Sequence, residues 1–350
     1  MAKIISVFNN KGGVGKTILT WNIGDALARR GKKVLLVDFD PQCNLSLAVL
    51  GEKTFGEKLP TQNIPYGATV RAYLQRFLQG TGGSEVFLQH GEKGKTHQDV
   101  KLIAGDFWLN NYGESLSVGG DLLTGTGISR YVVLVNMVKA AAKVNGTEFD
   151  FVLIDLPPSF GPLVRAALYS SDYYIVPCTS DTFSAYCVSL IGEMLPRFTD
   201  DWKMGVERFK KDNPNFTDFD KLGCPKFAGW IFNGFDTRGK DDDGEKKIRA
   251  DQVHYDRIAE AVKEHLVDNQ RIECLSTIPA DGILGQTEDM NTLIQNSIWL
   301  NVPVGELDEG HKPIKNLRDR GSWTDNQRAQ IQLLKGKFQE IAENIDKHCI

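Results

Sequence analysis

The sequence predicts an α/β protein in which a doubly wound, mostly parallel sheet carries helices on both faces. Three observations support this fold class. Short apolar runs alternate with stretches of helical periodicity along much of the 350 residues. Each run is apolar nearly throughout, as strands covered on both faces must be. The first run leads through a glycine-rich turn into a helix, as in a βαβ unit.

The opening residues are predicted to form strand, loop, helix and strand in that order. Residues 3–8 are apolar and rich in β-branched side chains, residues 17–30 have helical spacing, and residues 33–38 form a second apolar run. The two strands are therefore expected to be parallel. The same apolar pattern predicts four more strands, at 151–155, 173–177, 226–232 and 273–278.

Helical periodicity predicts five further helices along the rest of the chain. They cover residues 129–144, 162–170, 182 to about 197, 253–266 and 325–347. Three stretches do not follow the alternation and are interpreted as insertions or loops: 52–99, 200–223 and 236–247. Since no repeat and no linker composition is present, we expect one elaborated domain over residues 1–350, with insertions near 52–99 and 200–223.

Composition and charge exclude several classes of function. Lys plus Arg number 41 against 45 Asp plus Glu, a net charge of -4, so any contact with nucleic acid needs a local basic patch. The six cysteines include no C-x-x-C pair, which argues against zinc ribbons, thioredoxin-like motifs and iron–sulfur cradles. No apolar run approaches the roughly 18 residues of a membrane-spanning helix. We therefore expect a cytoplasmic protein.

The glycine-rich turn after the first strand carries a candidate phosphate site. Residues 11–17 read KGGVGKT. Backbone N–H groups in such a turn and at a helix N-terminus converge on phosphate oxygens. Lys16 would bridge the β- and γ-phosphates of a nucleotide, and the Thr17 hydroxyl would bind Mg²⁺. The residues that allow close backbone approach are Gly12, Gly13 and Gly15.

Acidic residues follow two of the predicted strands. Asp38 and Asp40 lie in VDFDPQ after the second strand, and Asp155 ends FVLID. Because parallel strands end at the edge that carries the glycine-rich turn, we expect these carboxylates near a magnesium ion and an attacking water. A helix-capping carboxylate is the alternative for any one of them. Three of them beside one phosphate loop favour a nucleotide site.

The combination of KGGVGKT, VDFDPQ and LIDLPPSFG resembles the ParA/MinD family of deviant-Walker ATPases, and its Soj-like partition branch fits best. The segments VKLIAGDFWLNNYGESL, YYIVPCTSDTFSAYCVSLI, IFNGFD and STIPADG extend the resemblance over most of the chain. Asn10 replaces the first glycine of the general pattern G-x-x-x-x-G-K-[ST], while Lys11 matches the family's additional lysine. The resemblance implies the P-loop NTPase fold and an ATPase that needs Mg²⁺.

The resemblance also implies roles for single residues. Lys11 would reach across an ATP-bound homodimer to the partner's phosphates, and Asp40 would orient the attacking water. Asp38 and Asp155 would surround the magnesium ion. Ile18 stands where the family usually has a second threonine, so a hydroxyl contact to the α-phosphate is lost. The implied catalytic residues are Lys11, Lys16 and Asp40, and the implied nucleotide-binding residues are Lys11, Gly12, Gly13, Val14, Gly15, Lys16, Thr17, Ile18, Asn233 and Pro279, the last two in the adenine pocket.

Members of the partition branch bind DNA nonspecifically with ATP, are stimulated by a ParB-like adaptor and segregate plasmids or chromosomes. This implies association with the nucleoid. Operator binding by an N-terminal helix-turn-helix domain is not expected, because the phosphate motif begins at residue 11. The candidate DNA patch comprises Lys312, Lys315, Arg318, Arg320 and Arg328, and Lys315, Arg318 and Arg320 are the residues we expect to bind DNA. A solvated basic loop is the alternative.

The alternative within the family is a MinD-like ATPase that positions a cargo at the membrane or on a protein assembly. MinD-like members bind membrane through a C-terminal amphipathic helix. The last predicted helix, 325–347, has an apolar stripe but a polar face that mixes lysines with acidic residues. We expect this helix to pack on the sheet, and we expect no membrane binding. Iron–sulfur scaffold ATPases share the phosphate loop but need a cysteine pair, which is missing.

Overall fold

A computed structural model describes residues 2–80, 85–119, 122–125, 127–241, 244–290, 292–315 and 319–350. Nine strands lie in this part of the chain: β1 Lys3–Val7, β2 Val34–Asp38, β3 Val100–Ile103, β4 Phe151–Asp155, β5 Tyr173–Thr179, β6 Lys226–Phe235, β7 Thr237–Asp241, β8 Gly244–Lys247 and β9 Ile283–Glu288. The helices are α1 Lys16–Arg29, α2 Asn44–Leu50, α3 Glu52–Gly56, α4 Val70–Gln79, α5 Leu109–Gly119, α6 Ile128–Tyr131, α7 Val133–Asn145, α8 Pro162–Ser170, α9 Thr182–Asp212, α10 Arg249–Val262, α11 Thr292–Leu300 and α12 Asp325–His348. A π-helical turn, Lys263–Val267, follows α10, and a 3₁₀ turn spans Val304–Glu306.

Seven strands form one parallel sheet in the spatial order β3-β2-β4-β1-β5-β6-β9, and β7 and β8 form a separate antiparallel hairpin. Neighbouring side chains of one strand enter two different hydrophobic clusters. Leu35 packs on the face covered by helices such as α7 and α8, whereas Leu36 packs on the face covered by α1 and α12. The predicted doubly wound sheet, with helices on both faces, is therefore confirmed.

The predicted strand at 273–278 is wrong, and β9 forms the seventh strand of the sheet instead. In the described structure, residues 273–278 contribute one bridge between Cys274 and Phe227, whereas β9 pairs with β6. Glycine and polar residues obscure β9 in the sequence. A Cβ atom at Gly285 would lie 2.5 Å from Ile341 Cγ1 of α12, so glycine is required for the helix to pack this closely. Tertiary packing here overrides strand propensity.

The helix predicted to end near residue 197 continues as α9, so residues 200–212 are helical rather than a loop. Pro196 lies inside this helix and cannot donate to the carbonyl of Gly192. Asn269 Nδ2 donates to that carbonyl at 3.2 Å. The carbonyl that proline leaves unpaired is therefore satisfied from another element, and the helix continues past it.

Smaller differences concern the bounds of other elements. The helix predicted at 129–144 is divided into α6 and α7 at Val132. The helix predicted at 253–266 begins earlier, as α10, and ends in the π-helical turn. The stretch 52–99 contains α3 and α4, and the stretch 236–247 contains the β7–β8 hairpin. Local pattern located the helices at 129–144 and 253–266 but not their ends. It missed α3, α4 and the β7–β8 hairpin, which lie in stretches that were predicted as insertions or loops.

The C-terminal helix α12 packs on the sheet, as predicted. It contacts α1 and β9, and its apolar stripe is at most 2% exposed. Within the described ranges, no helix combines the length and the apolar character needed to cross a bilayer. The stripe comprises Ile331, Leu334, Phe338, Ile341 and Ile345.

Candidate nucleotide site

The glycine-rich loop joins β1 to α1 at the carboxyl edge of the sheet. Gly13 and Gly15 have φ angles of 74° and 83°, a backbone conformation that favours glycine. A Cβ atom at Gly15 would also collide with Asn233 Nδ2. Among the described residues no side chain caps the start of α1, so its first N–H groups remain available to an anion. The loop therefore has the backbone geometry of a phosphate cradle.

Lys16 lies folded over this loop. It is 7% exposed, and its Nζ donates to the carbonyls of Asn9 at 3.0 Å and Lys11 at 2.8 Å. Burial lowers the pKa of Lys16, and the nearby charges of Asp155 and Asp40 oppose that shift. Phosphate oxygens would offer this ammonium charged acceptors in place of two neutral carbonyls.

Thr17 and Asp155 form the part of the site that fits a magnesium ion. Thr17 Oγ1 donates to Asp155 Oδ2 at 2.7 Å. Asp155 Oδ1 is buried and has no hydrogen-bond partner among the described residues. Burial, followed by the charge of Asp38 on the adjacent strand, raises the pKa of Asp155 well above its usual value. A divalent cation would relieve both the unpaired oxygen and the charge repulsion.

Asp38 is held from two sides. Ser46 on α2 donates to Asp38 Oδ2 from its backbone N–H at 2.8 Å and from its hydroxyl at 2.6 Å. Gly105, after β3, closes over the carboxylate, since a Cβ atom there would lie 2.9 Å from Asp38 Cγ. Burial raises the pKa of Asp38 to about 7 despite the bonds from Ser46. Ser46 and Gly105 are positioning residues that sequence reasoning missed.

Asp40 lies at the same edge and is 7% exposed. Its Oδ1 accepts from the Gln42 backbone N–H at 2.9 Å. Burial raises the pKa of Asp40, and the charge of Lys16 opposes the shift. Of the three carboxylates predicted to converge on the phosphate loop, Asp155 and Asp40 are close enough for their charges to oppose the lowered pKa of Lys16.

Lys11 forms an ion pair with Asp181 of the same chain, a contact that sequence reasoning missed. Its Nζ also donates to Thr179 Oγ1 at 2.9 Å. Asp181 is the N-cap of α9, where its Oδ1 accepts from the N–H groups of Phe183 at 2.9 Å and Ser184 at 3.1 Å. Burial would raise the pKa of Asp181, but the hydrogen bonds from Lys11 and Thr179 outweigh it and lower the pKa. An aspartate before a predicted helix was the available signal.

Asn233 and Pro279 occupy different environments. Asn233 Nδ2 donates to the Val14 carbonyl at 3.1 Å, and its Oδ1 accepts from Thr287 Oγ1 at 2.6 Å, so it anchors the phosphate loop to β9. Pro279 is exposed in the turn before β9. In the described part of the chain no hydrogen bond joins Pro279 to Asn233, and their shared adenine pocket stays a prediction. Ile18 is buried in the core, as its apolar side chain requires.

The candidate DNA patch is described only in part. Lys315 and Arg320 are exposed, and Ile314 pairs with Arg320 through an antiparallel bridge. Arg318 lies outside the described residues. The patch stays a prediction.

Known proteins resemble this chain in sequence. A family model described as an AAA domain matches residues 2–207. The Bacillus subtilis sporulation initiation inhibitor protein Soj is 30% identical over 184 residues, 53% of this chain and 61% of that protein. The Treponema pallidum chromosome-partitioning ATPase Soj is 29% identical over 197 residues, 56% of this chain and 65% of that protein. The match thus spans about three-fifths of either Soj protein.

Solved structures share the fold. Apo McdA from a Cyanothece species has a TM-score of 0.60 and 16% identity, over 99% of this chain and 100% of its own. A putative plasmid partition protein from Borrelia burgdorferi, solved with AMPPNP, has a TM-score of 0.54 and 17% identity, over 99% of each chain. These likenesses agree with the P-loop NTPase fold. Because the family model covers more than half of the chain, and the motifs and relatives agree with it, the chain belongs to the AAA domain family as a ParA/MinD-type ATPase.

Proposed function

We propose that this protein is a partition ATPase that binds ATP with Mg²⁺, dimerises in the ATP state, and then binds DNA without sequence preference. One observation carries the proposal. Lys16, Thr17 and Asp155 meet at one sheet edge, while a second lysine, Lys11, extends from the loop toward α9. The first three suffice for a nucleotide site. The Lys11 side chain takes no part in that group. It is paired with Asp181 of its own chain and would leave that ion pair to reach a partner's phosphates.

ATP and Mg²⁺ fit the residues at this edge. The orphaned Asp155 oxygen marks where a cation or its bound water would be stabilised. Among the described residues there is no group of three or more His, Cys, Asp or Glu side chains that could hold a metal ion. Magnesium would therefore be held largely by phosphates and water, with Thr17 as a direct ligand and Asp38 and Asp155 around it. Structural neighbours solved with AMPPNP or ATP support this choice of ligand.

Hydrolysis would depend on Asp40. This carboxylate is oriented by Gln42 and lies near enough to Lys16 for their charges to interact. A water held by Asp40 opposite the leaving phosphate would be aligned for attack, an effect exerted mainly in the transition state. Lys16 would neutralise charge that develops on the phosphates.

The proposed role in DNA partition is supported by the family and by the relative that is named a chromosome-partitioning ATPase. A ParB-like adaptor would stimulate hydrolysis, and DNA binding would place the protein on the nucleoid. The MinD-like alternative has less support, because the apolar stripe of α12 is buried against the sheet and is not available to a bilayer.

Sedimentation and a gel shift test the proposal together. We expect dimers with a nonhydrolysable ATP analogue and Mg²⁺, and DNA binding by those dimers to several unrelated duplexes. Lys16→Ala should abolish both. Lys11→Ala should keep nucleotide binding, at reduced affinity, yet remain monomeric. Binding to anionic liposomes without binding to DNA would favour the MinD-like branch and overturn the partition proposal.

A further inference from the structure

A cationic cavity lies at the sheet edge opposite the phosphate loop. It has a volume of 620 Å³ and lies between the end of α1, loop 90–98 and β3. Helix α1 starts at the phosphate loop, so its far end is about 20 Å away, at a rise of roughly 1.5 Å per residue. The basic and histidine side chains that line the cavity are Arg29, His90, Lys93, Lys95, His97 and Lys101.

Loop 90–98 is fastened to the body of the protein. Trp21 Nε1 donates to Thr96 Oγ1 at 3.0 Å, and the His97 backbone N–H donates to Asp25 Oδ1 at 2.6 Å. At Gly91 a Cβ atom would lie 2.9 Å from Thr96 Cβ, so the chain can turn this closely only with glycine. Lys93 is thereby presented at the exposed tip of an anchored loop.

The cations of the cavity are only partly neutralised. Arg29 pairs with Asp25 at 2.6 Å and with Glu306 at 3.1 Å, and Lys95 pairs with Glu92 at 2.7 Å. Lys93 and Lys101 form no ion pair within the described ranges, and Lys101 Nζ donates to the Gln98 carbonyl at 3.2 Å. Among the described residues no carboxylate lines the cavity itself, and Asp99 Oδ2 lies 3.7 Å from Nδ1 of the lining residue His97. On a chain of net charge -4, these two lysines create a local site for anions.

We propose that this cavity contacts backbone phosphates of nucleic acid through Lys93 and Lys101. Lys93 is exposed and Lys101 is half-buried, so water screens each lysine–phosphate contact and each contact is weak. Affinity therefore requires several linked phosphates rather than one small anion. A dimer formed through the phosphate-loop edge leaves this edge open and supplies two copies of it. The inference takes its ligand class from the proposed function, but it does not depend on the nucleotide switch.

The test compares two double variants that lose the same charge. Lys93→Ala/Lys101→Ala removes the cavity lysines, and Lys139→Ala/Lys143→Ala removes two exposed lysines of α7. Fluorescence anisotropy with a labelled duplex, an ATP analogue and Mg²⁺ measures affinity over a range of salt. For each cavity that contacts the duplex, loss of two phosphate contacts predicts about 60-fold weaker binding near 0.1 M salt and a salt slope smaller by about 2. The α7 variant should bind like the parent, and both should keep the parent's melting temperature and basal ATPase rate.

The other outcomes separate this inference from the proposed function. If the cavity variant binds DNA like the parent, and Lys315→Ala/Arg320→Ala does not, the inference is wrong and the partition function stands. If the parent binds DNA through the cavity without nucleotide, the inference stands and the ATP switch is wrong. If inorganic tripolyphosphate, added with the ATP analogue filling the nucleotide site, binds the parent as tightly as the duplex does and this binding is lost in the cavity variant, the cavity is a small-anion pocket and the inference fails. If the parent binds no DNA, both fail.

Discussion

Replacing Asp181 by asparagine should strengthen dimerisation in the presence of ATP. In the structure, Asp181 holds the Lys11 ammonium that the proposed dimer needs at the partner's phosphates. Asparagine is an equally good N-cap, so its Oδ1 can keep the bonds from the Phe183 and Ser184 N–H groups. Its amide nitrogen would then face Lys11 and could not accept from it. The change therefore releases Lys11 without removing the cap of α9.

The size of the effect follows from the exposure of the ion pair. The two side chains are 22% and 35% exposed, so solvent screens part of the attraction. We take about 1 to 1.5 kcal/mol per pair, between the value for a surface ion pair and that for a charged hydrogen bond. Two lysines are released per dimer. The two releases together favour the dimer by about 2 to 3 kcal/mol. The dimer dissociation constant should therefore fall by roughly 30- to 140-fold.

Sedimentation equilibrium with a nonhydrolysable ATP analogue and Mg²⁺ measures this constant directly. Asp181→Ala is the control for the cap, because it removes the ion pair and the bonds to the start of α9 together. Lys11→Ala should stay monomeric. An Asp181→Asn variant that dimerises no more tightly than the parent would refute the reasoning. Lys11 would then either stay paired with Asp181 when the dimer forms or make no contact with the partner's phosphates.

Four further results are expected. Asp40→Ala should slow hydrolysis by on the order of 100-fold, measured by phosphate release, and should keep ATP binding, measured by calorimetry. Turnover at the parent's rate would place the catalytic role in another residue. Gly15→Ala should lower the free energy of urea unfolding by about 1 to 3 kcal/mol and weaken ATP binding, because φ at this position is 83° and the new methyl group would collide with Asn233. An unchanged affinity for ATP would contradict this. Because the folded-state pKa of Asp38, about 7, lies above its unfolded value, the folded chain binds more protons between the two values. Without metal, this contribution to stability is fully present below about pH 4 and is lost as the pH rises through 7. The free energy of urea unfolding should therefore vary less with pH for Asp38→Asn than for the parent. Phe338→Ala should destabilise the protein by about 3 to 5 kcal/mol if the α12 stripe is core, and a loss below about 1 kcal/mol would argue that the stripe is available to another surface.

The sequence alone sufficed for the phosphate loop, its flanking strand and helix, and the convergence of the aspartates. These features depend on local patterns and on one rule of topology. Periodicity identified β1, α1 and β2, and parallel strands must end at the edge that carries the loop. Asp38 and Asp155 are indeed paired in register on adjacent strands. No packing detail was needed for that conclusion.

Only the tertiary structure decided which distant side chains meet. Asp181 lies 170 residues from Lys11, and no local pattern relates an N-cap to a phosphate loop. Gly285 weakens a strand by propensity and is required there because α12 packs against it. Lys93 and Lys101 share a cavity with Arg29 because loop 90–98 is bonded to α1. Contacts of this kind depend on how elements pack in space, and the spacing of residues along the chain does not encode that packing.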